Sequence, residues 1–340
     1  GAGLMAQEHS TVELSLAELE DLTWRALLGT GLTEADAEIV RDVLLYAELR
    51  DNSQSLVKIV EGVVSPVPGA GEIEVVRTGP AALSINANQN IGMVVAHRAA
   101  TEVAALAVTN GVAVAGSRNV STSTGAIGYY AEMMAREGLI GIVMCGSPKV
   151  MAMAGGIDPV FGTNPVAIAA PTSGEPIVLD MATSAVTFFD IVNAARQGGT
   201  IPAHAAFDRH GQPTTDPDEA LKGAMRVFDG YKAAGLALML EIMTAPLTGA
   251  GVVGDDDQGS NRGAFFMAID PAMLAGRDSY LAAVDRMAAR IRSGRPEKSG
   301  GEITLPGDRG RARAQAKRER DTITLNGALV AELKKLAAEA

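Results

Sequence analysis

Several short stretches of this 340-residue sequence carry residue types and spacings that could do chemistry. Gly249, Gly251 and Gly254 have the GxGxxG spacing of a loop that holds a dinucleotide pyrophosphate where a strand leads into a helix. Here a helical pattern precedes the glycines, and three aspartates at residues 255–257 follow them and would repel a pyrophosphate. We therefore predict a plain loop.

Metal and nucleic-acid chemistry find little support. Consecutive carboxylates at residues 255–257 point in different directions, whereas a hard cation needs ligands that converge, so we predict no metal site. The chain has a formal net charge of -11, from 29 basic and 40 acidic side chains, and such a charge repels phosphate backbones. We expect no nucleic-acid partner, and we interpret the basic run at residues 309–320 as a solvated helix face or a subunit contact.

No nucleophile stands out. Ser53, Ser121 and Ser123 lie in no GxSxG turn and have no histidine near them in the sequence. Cys145, the single cysteine, ends an apolar run and is predicted to be an inert core thiol, and it excludes an internal disulfide. The chain has four histidines, which we expect in structural or exposed positions: His9, His97, His204 and His210.

The elements that must position these side chains follow from hydrophobic patterning. Residues 11–52 are predicted to be helical, with a capping box at Ser15 and Glu18 and a second helix that starts at Thr33. Short apolar runs predict buried strands at residues 73–76, 82–85, 112–114, 138–145, 165–170 and 177–179. Helical patterns lie at residues 97–111, 187–197 and 232–243, and two more follow residue 271.

Strands that alternate with helices predict an α/β fold with N-terminal helices and a buried sheet that is mixed or parallel. We predict a helical substrate domain of residues 11–115 with 290–340, and a glycine-rich α/β cofactor domain of residues 116–289. No apolar run approaches the roughly 18 residues of a membrane span, and the first ten residues lack the apolar segment of a signal peptide. We expect a cytoplasmic protein without a membrane partner.

Several longer strings resemble the type 2 malate/L-lactate dehydrogenase family. They are GTNPVAIA at residues 162–169, LDMATS at 179–184, GAIGYY at 125–130, PTTDP at 213–217 and LPG at 305–307, and the likeness covers about residues 12–340. The resemblance implies a non-Rossmann α/β fold that binds NAD(P)H in its own way, usually as a homodimer. Family members interconvert 2-oxo and 2-hydroxy acids or reduce cyclic ketimines such as piperideine-2-carboxylate.

The resemblance also implies which residues line the site. Arg50, Ser53, Gln54 and Lys58 lie in the stretch that matches the family's first catalytic motif, and Lys232 matches a family lysine. Gln54 takes the place of a histidine, and Lys58 that of the arginine that grips the substrate carboxylate. The cofactor side would comprise three segments: Ser123, Thr124 and Gly125; Asn164 and Pro165; and Asp180, Met181, Ala182 and Thr183.

At several positions the sequence departs from the family pattern. Ser123 stands where the family has a second histidine, and Phe188, Phe189 and Asp190 replace a basic turn, which would weaken contact with a nucleotide phosphate. A glutamine amide hydrogen-bonds but cannot deliver a proton as histidine does near neutral pH. Lysine in place of arginine exchanges a bidentate fork for a point charge.

Two hypotheses remain open. In the first, the chain is an NAD(P)H-dependent oxidoreductase of a small carboxylate, either a cyclic ketimine (a 2-imino acid) or a 2-oxo or 2-hydroxy acid. A protonated ketimine already carries its proton, so Gln54 would only position it while Arg50 and Lys58 hold its carboxylate. In the second, the chain is a non-redox lyase, isomerase or cyclisation enzyme, or an inactive partner, which fits the loss of both histidines and the basic turn. We prefer the first because Asp180, Lys232 and the loop at residues 164–165 are retained.

Overall fold

The chain folds into helices around two sheets and a separate pair of strands, and the computed structural model describes residues 10–252, 261–297 and 301–340. The helices are α1 (Leu16–Gly29), α2 (Glu34–Leu49), α3 (Val57–Val60), α4 (Gly92–Asn110), α5 (Gly128–Arg136), α6 (Phe188–Arg196), α7 (Pro217–Ala220), α8 (Gly230–Thr244), α9 (Arg277–Arg292), α10 (Asp308–Arg320) and α11 (Gly327–Ala337). The strands are β1 (Thr11–Ser15), β2 (Glu74–Gly79), β3 (Ala82–Asn86), β4 (Val112–Val120), β5 (Ile140–Cys145), β6 (Met151–Ala152), β7 (Pro159–Phe161), β8 (Val166–Ala170), β9 (Ile177–Met181), β10 (Ala206–Phe207), β11 (Pro213–Thr214), β12 (Ala224–Met225), β13 (Arg262–Ile269) and β14 (Thr322–Asn326).

The larger sheet has seven strands in the order β2-β3-β4-β13-β5-β8-β9. Among the described pairs of this sheet, β3 and β4 are parallel and the other five are antiparallel, so the mixed sheet expected for this α/β fold is confirmed. β13 comes from late in the chain and lies between β4 and β5, where Phe266 pairs with Ala115 and Val143 and is fully buried. Helix α4 packs against β4, and α5 packs against β5.

Two hydrophobic cores form around these sheets. The larger core joins the N-terminal helices, the seven-stranded sheet and the C-terminal helices α10 and α11. The smaller core, with Met151, Phe161 and Ile191 at its centre, lies beside the five-stranded sheet of order β11-β10-β12-β6-β7. The boundary expected between residues 115 and 116 falls within β4, and the division into two domains stays a prediction.

The N-terminal segment corrects one expectation and confirms another. Residues 11–15 are not helical but form β1, which pairs antiparallel with β14 from the other end of the chain. A local pattern cannot show such a partner. The capping box is confirmed, because Ser15 N donates to Glu18 Oε2 at 2.8 Å and Glu18 N donates to Ser15 Oγ at 3.2 Å. Thr33 caps α2 as predicted.

Two further helix predictions were wrong in their extent. The helix expected to begin at His97 begins at Gly92. The earlier start was not predicted because Ile91, the residue at the N-cap, provides no polar capping side chain. Three α-helices, α9 to α11, follow residue 271 rather than two. The GxGxxG stretch was predicted to be a loop, and residues 253–260 lie outside the described residues.

Helix α8 is apolar on both of its faces. Ala233, Ala237 and Leu240 are buried against the rest of the chain, whereas the opposite side exposes Met239 and Ile242. Within the described ranges, no helix is both long and apolar enough to cross a lipid bilayer.

Candidate active site

The segment after α2 carries the first group of predicted catalytic residues. The helix ends at Leu49, and Asp51 turns the chain with a left-handed φ of 55°. The short helix α3 then directs Lys58 into the protein, where only 1% of the residue is exposed. A surface loop thus delivers a buried ammonium group.

Lys58 lies among neutral groups rather than acids. Its Nζ donates to Ser123 Oγ at 2.9 Å and lies 3.9 Å from the centroid of the Phe189 ring. No carboxylate in the described part of the chain forms an ion pair with it. Burial, and secondly the positive charge of Arg262, lower the pKa of Lys58 to about 7. Lys58 can therefore gain or lose a proton near neutral pH.

Ser123 lies in the loop at residues 121–127, between β4 and α5, and α4 holds this loop in place. Gly92 N donates to Thr122 Oγ1 at 3.0 Å, and a Cβ on Gly92 would lie 2.7 Å from Ser123 O, so glycine is required for this approach. Gly125 N donates to Ser123 Oγ at 3.1 Å, and Gly125 has a left-handed φ of 70°. The Ser123 hydroxyl is therefore fixed by two donors.

Asp180, near the end of β9, faces the start of α5. Gly128 N donates to Asp180 Oδ2 at 2.9 Å. The side chain is exposed within a cleft, yet the protein atoms around its carboxylate displace enough water to raise the pKa of Asp180 to about 6. The Gly128 N–H opposes this shift. Asp180 thus changes its protonation state just below neutral pH.

One cleft of about 370 Å³ brings Arg50, Ser53 and Asp180 together. Arg50 is already partnered there, because its guanidinium lies 3.5 Å from the centroid of the Tyr46 ring and 3.6 Å from Glu132 Oε2. The Tyr46 hydroxyl donates to the same carboxylate oxygen at 2.8 Å. The carboxylate of Glu132 therefore already compensates the charge of Arg50.

The two remaining cofactor segments lie side by side because β8 and β9 are paired, with Val166 opposite Met181. Thr183 Oγ1 donates to Thr163 O at 2.8 Å. Asn164 is fully buried with a left-handed φ of 35°, and its Nδ2 donates to Glu241 Oε2 at 2.7 Å and to Ala237 O at 3.1 Å in α8. Asn164 Oδ1 is buried and has no hydrogen-bond partner among the described residues.

The other predicted cofactor residues lie close to these groups. Thr124 O accepts a hydrogen bond from the Tyr130 hydroxyl at 2.8 Å, and Pro165 O accepts one from Cys145 N at 3.3 Å. Burial raises the pKa of the Cys145 thiol to about 12, as expected of an inert core cysteine. Met181 and Ala182 are partly buried at the end of β9.

Two predicted catalytic residues are not brought to this group by any described contact. Gln54 is half-buried, and its hydrogen bond runs from its backbone N–H to Asn52 Oδ1 at 2.9 Å. Lys232 is exposed near the start of α8. Among the described histidines, His204 and His210 are exposed, and His97 is half-buried on α4, where burial lowers its pKa. His9 lies outside the described residues.

Sequence reasoning missed Arg262 and the role of Phe189. Arg262 lies at the start of β13 and pairs with Val120, which precedes Ser123 by three residues. Nothing in the sequence around Arg262 predicts that it lies near Ser123. Phe189 lies in the first turn of α6, and its ring covers Lys58 Nζ. In the same turn, Thr187 Oγ1 lies 2.9 Å from Ser53 Oγ. The segments at residues 50–58 and 187–190 are therefore in direct contact.

Comparison with known proteins gives the family. A sequence profile described as malate/L-lactate dehydrogenase matches residues 14–334. The chain is 34% identical to malate/(S)-sulfolactate dehydrogenase of Methanothermus fervidus, over 96% of this chain and 97% of that protein. It is also 34% identical to Δ1-pyrroline-2-carboxylate reductase 1 of Burkholderia ambifaria, over 84% of this chain and 88% of that protein. The crystal structure of a dehydrogenase from Sinorhizobium meliloti, 33% identical, superposes with a TM-score of 0.87 over 97% of this chain and 99% of that one.

The chain therefore belongs to the malate/L-lactate dehydrogenase family, and the resemblance drawn from its motifs is confirmed. It has the fold of this family and is an oxidoreductase enzyme. These relatives are dehydrogenases and reductases, so they lend no support to the non-redox hypothesis. The homodimer and the roles of individual site residues stay predictions.

Proposed function

We propose that this enzyme uses NAD(P)H to reduce a small 2-imino acid of the cyclic ketimine type, or the related 2-oxo acid. The observation that carries the proposal is the pair of positive charges beside the Ser123 loop. Neither Lys58 nor Arg262 forms an ion pair with a carboxylate in the described ranges, and burial lowers the pKa of both groups. Uncompensated charge of this kind attracts an anion, and these acids carry a carboxylate next to the reacting carbon.

A ring imine is favoured because no described histidine lies at this site. A protonated ketimine carries its own proton, so hydride addition to its carbon yields a neutral amine without a general acid. The pyrroline-2-carboxylate that gives the Burkholderia relative its name is an acid of this kind. Arg262, which is only partly buried, would hold the substrate carboxylate, and Gln54 would orient the ring.

Bound NAD(P)H would supply the hydride, and the residues predicted to line it fit its nicotinamide end. The three segments carry amide and hydroxyl groups and the Asp180 carboxylate but no basic side chain, which suits an uncharged carboxamide. Phe228 N donates to Thr183 O at 3.1 Å and so ties the start of α8 to this end, which leaves the exposed Lys232 available to a phosphate.

Turnover assays test the proposal. NADH and NADPH oxidation would be followed with piperideine-2-carboxylate, pyrroline-2-carboxylate, pyruvate and oxaloacetate, and we expect the ring imines to react faster. Arg262→Gln should raise KM for both substrate classes by about tenfold or more, as loss of a charge-assisted hydrogen bond does. The matched control Arg209→Gln removes an exposed arginine and should leave KM unchanged for both substrate classes. No turnover of either class, together with no cofactor binding by fluorescence titration, would reject the function.

We further propose that the enzyme is a cytoplasmic homodimer. One buried cysteine without a disulfide suits a reducing compartment. The exposed face of α8 carries Tyr231 at 76%, Met239 at 55% and Ile242 at 42% exposure, and an apolar row of this size facing water is typical of a subunit interface. Met239→Glu combined with Ile242→Glu should convert a dimer to a monomer in analytical ultracentrifugation, whereas a monomeric wild type would contradict the proposal.

A further inference from the structure

The hydrogen bonds of Ser123 leave its proton available. Lys58 Nζ donates to Ser123 Oγ at 2.9 Å, and Gly125 N donates to the same oxygen at 3.1 Å. A hydroxyl has two lone pairs and one proton, so with a charged Lys58 both acceptor positions are occupied. No acceptor in the described part of the chain takes the Ser123 proton. The hydroxyl can therefore donate to a bound substrate.

Lys58 reaches the site only through this hydroxyl. The lysine is 1% exposed, whereas Ser123 is half-buried on a loop that runs toward Asp180 through Gly128. The lysine is too deeply buried to contact a small molecule directly, but its ammonium can replace a proton that Ser123 gives away. Ser123 also stands where the sequence pattern of the family has a histidine.

We propose that Ser123 donates the proton to the carbonyl oxygen of a 2-oxo acid and that Lys58 reprotonates Ser123. The two residues together would do the work of an imidazole acid. This inference rests on the proposed function, and it extends the substrates from ring imines, which need no acid, to carbonyl compounds, which do.

The atoms and electrons of this step balance. Bound NAD(P)H would supply a hydride, its own C–H bond breaking as a C–H bond forms at carbon 2 of the substrate, and the electron pair of the C=O π bond would move to the oxygen. That oxygen takes the proton of Ser123 Oγ, and Oγ takes one from the Lys58 ammonium. The neutral amine recovers its proton from solvent after the product leaves. In the oxidation direction neutral Lys58 accepts a proton through Ser123.

The charges around Lys58 suit this role. An ordinary lysine is too weak an acid at neutral pH, whereas burial and Arg262 lower the pKa of Lys58 to about 7, and the Phe189 ring keeps the charged form accessible. The acids on neighbouring elements are engaged elsewhere. Glu48 accepts from Leu56 N at 3.4 Å, Glu61 pairs with Arg196, and Asp190 caps α6. Helix α11 packs on α3, and its charged side chains are exposed: Glu332, Lys334 and Lys335.

A comparison of two substrate classes tests the relay. Ser123→Ala should lower kcat for a 2-oxo acid by about 100-fold or more, the usual contribution of a general acid, while kcat for a cyclic ketimine changes by less than about threefold. Ser123→Thr keeps the hydroxyl and should restore most of the lost rate. Lys58→Arg keeps the positive charge but cannot release a proton, so it should show the same split. The exposed control Lys222→Arg should change neither rate.

The pH dependence of kcat gives a second measurement. If Lys58→Arg does not fold, the pH profiles of the wild type and of Ser123→Ala are sufficient to test the relay. Wild-type kcat for the 2-oxo acid should fall as the pH rises through about 7, where Lys58 loses its proton, and Ser123→Ala should lack this inflection. Equal kcat losses for both substrate classes, or an inflection retained in Ser123→Ala, would overturn the relay and leave Lys58 as a structural cation. A wild type that turns over neither class would instead overturn the proposed function and the relay together.

Discussion

The two sides of the proposed site are held in different ways. Around Asn164 and Thr183, the side chains bond mainly to backbone carbonyls, at 3.1 Å to Ala237 O and 2.8 Å to Thr163 O, beside one bond from Asn164 to the Glu241 carboxylate at 2.7 Å. Around Lys58, the ammonium group contacts other side chains, those of Ser123 and Phe189. We call the region around Asn164 and Thr183 the backbone-held side and the region around Lys58 the side-chain-held side.

This difference bears on how an active site changes. A backbone carbonyl is present whatever side chain its residue carries, so the backbone-held side keeps its carbonyl partners when neighbouring residues change. On the side-chain-held side each partner is itself a choice of residue. Ser53 Oγ lies within hydrogen-bond distance of Thr187 Oγ1, and the Phe189 ring covers Lys58, so residues 50–58 and 187–190 form one connected arrangement.

The largest effect is expected from Lys58→Met. The pKa of Lys58 is about 7 when folded and near 10.5 when unfolded, so below pH 7 both states are protonated and the folded state bears the full cost of a buried charge. As the pH rises from 7 toward 10.5 the folded lysine is neutral and wild-type stability increases. Lys58→Met should therefore be more stable than wild type by about 2–4 kcal/mol at pH 6, a difference that shrinks by pH 10.

Chemical denaturation at several pH values measures this change. Lys222→Met, which removes an exposed lysine paired with Glu219, should leave the free energy of unfolding close to that of the wild type, without the pH dependence expected of Lys58→Met. The same Lys58→Met protein should reduce 2-oxo acids at least about 100-fold more slowly. A variant that is less stable at pH 6, or whose gain does not depend on pH, would show that Lys58 is not a costly buried charge.

The backbone-held side should respond in the opposite direction. Asn164→Ala removes the two hydrogen bonds of Nδ2 and places alanine at a left-handed φ of 35°, so we expect a loss of about 2–4 kcal/mol in the free energy of unfolding. Asn164→Gly loses the same bonds but tolerates that φ, and should be about 1 kcal/mol less destabilised than the alanine variant. Equal losses in the two variants would mean that the backbone at this position is not strained.

Sequence patterns predicted features that form within one short segment of the chain, and they missed contacts between distant segments. The capping box of Ser15 and Glu18 and the cap at Thr33 were readable because both partners lie within one helical turn. The pairing of β1 with β14 and the position of Arg262 beside Lys58 depend on segments that meet only in the folded chain. Periodicity carries no information about such encounters.

The candidate site shows the same limit. The motif resemblance named Lys58 and Ser123, but it assigned them to the substrate and cofactor sides, and their hydrogen bond spans 65 positions of the sequence. Gln54 was expected at the catalytic centre because of its motif position, and no described contact joins its side chain to Lys58 or Ser123. A motif gives the residue types of a site, whereas the direction of each side chain depends on tertiary packing.

Asp180, which lies near the end of β9, should give a smaller and pH-dependent effect. Its folded pKa of about 6 is above the ordinary 3.8, so the folded carboxyl holds its proton longer than the unfolded one, and wild-type stability falls as the pH rises from about 4 to 6. The side-chain oxygen of Asp180→Asn still accepts from Gly128 N, and this variant should be more stable than the wild type at pH 7.5. We expect a gain of only about 1 kcal/mol, because solvent reaches this side chain and weakens the electrostatic penalty. Thermal melts should show no difference near pH 4. An equal gain at both pH values would contradict the raised pKa, and the exposed control Asp278→Asn should show no pH-dependent gain.

The smallest effect tests the contact between residues 50–58 and residues 187–190. Thr187 caps α6 by accepting from Asp190 N at 3.1 Å and also lies 2.9 Å from Ser53 Oγ, whereas Thr33 caps α2 by accepting from Asp36 N at 3.2 Å without such a link. Thr33→Ala and Thr187→Ala should each lose about 1 kcal/mol for the cap, and Thr187→Ala about 0.5–1 kcal/mol more for the bond to Ser53. Because the turn also carries Phe189 over Lys58, Thr187→Ala alone should slow 2-oxo acid reduction a few-fold, by the proton relay argument. Equal stability losses with unchanged turnover would mean that the two segments touch without depending on each other.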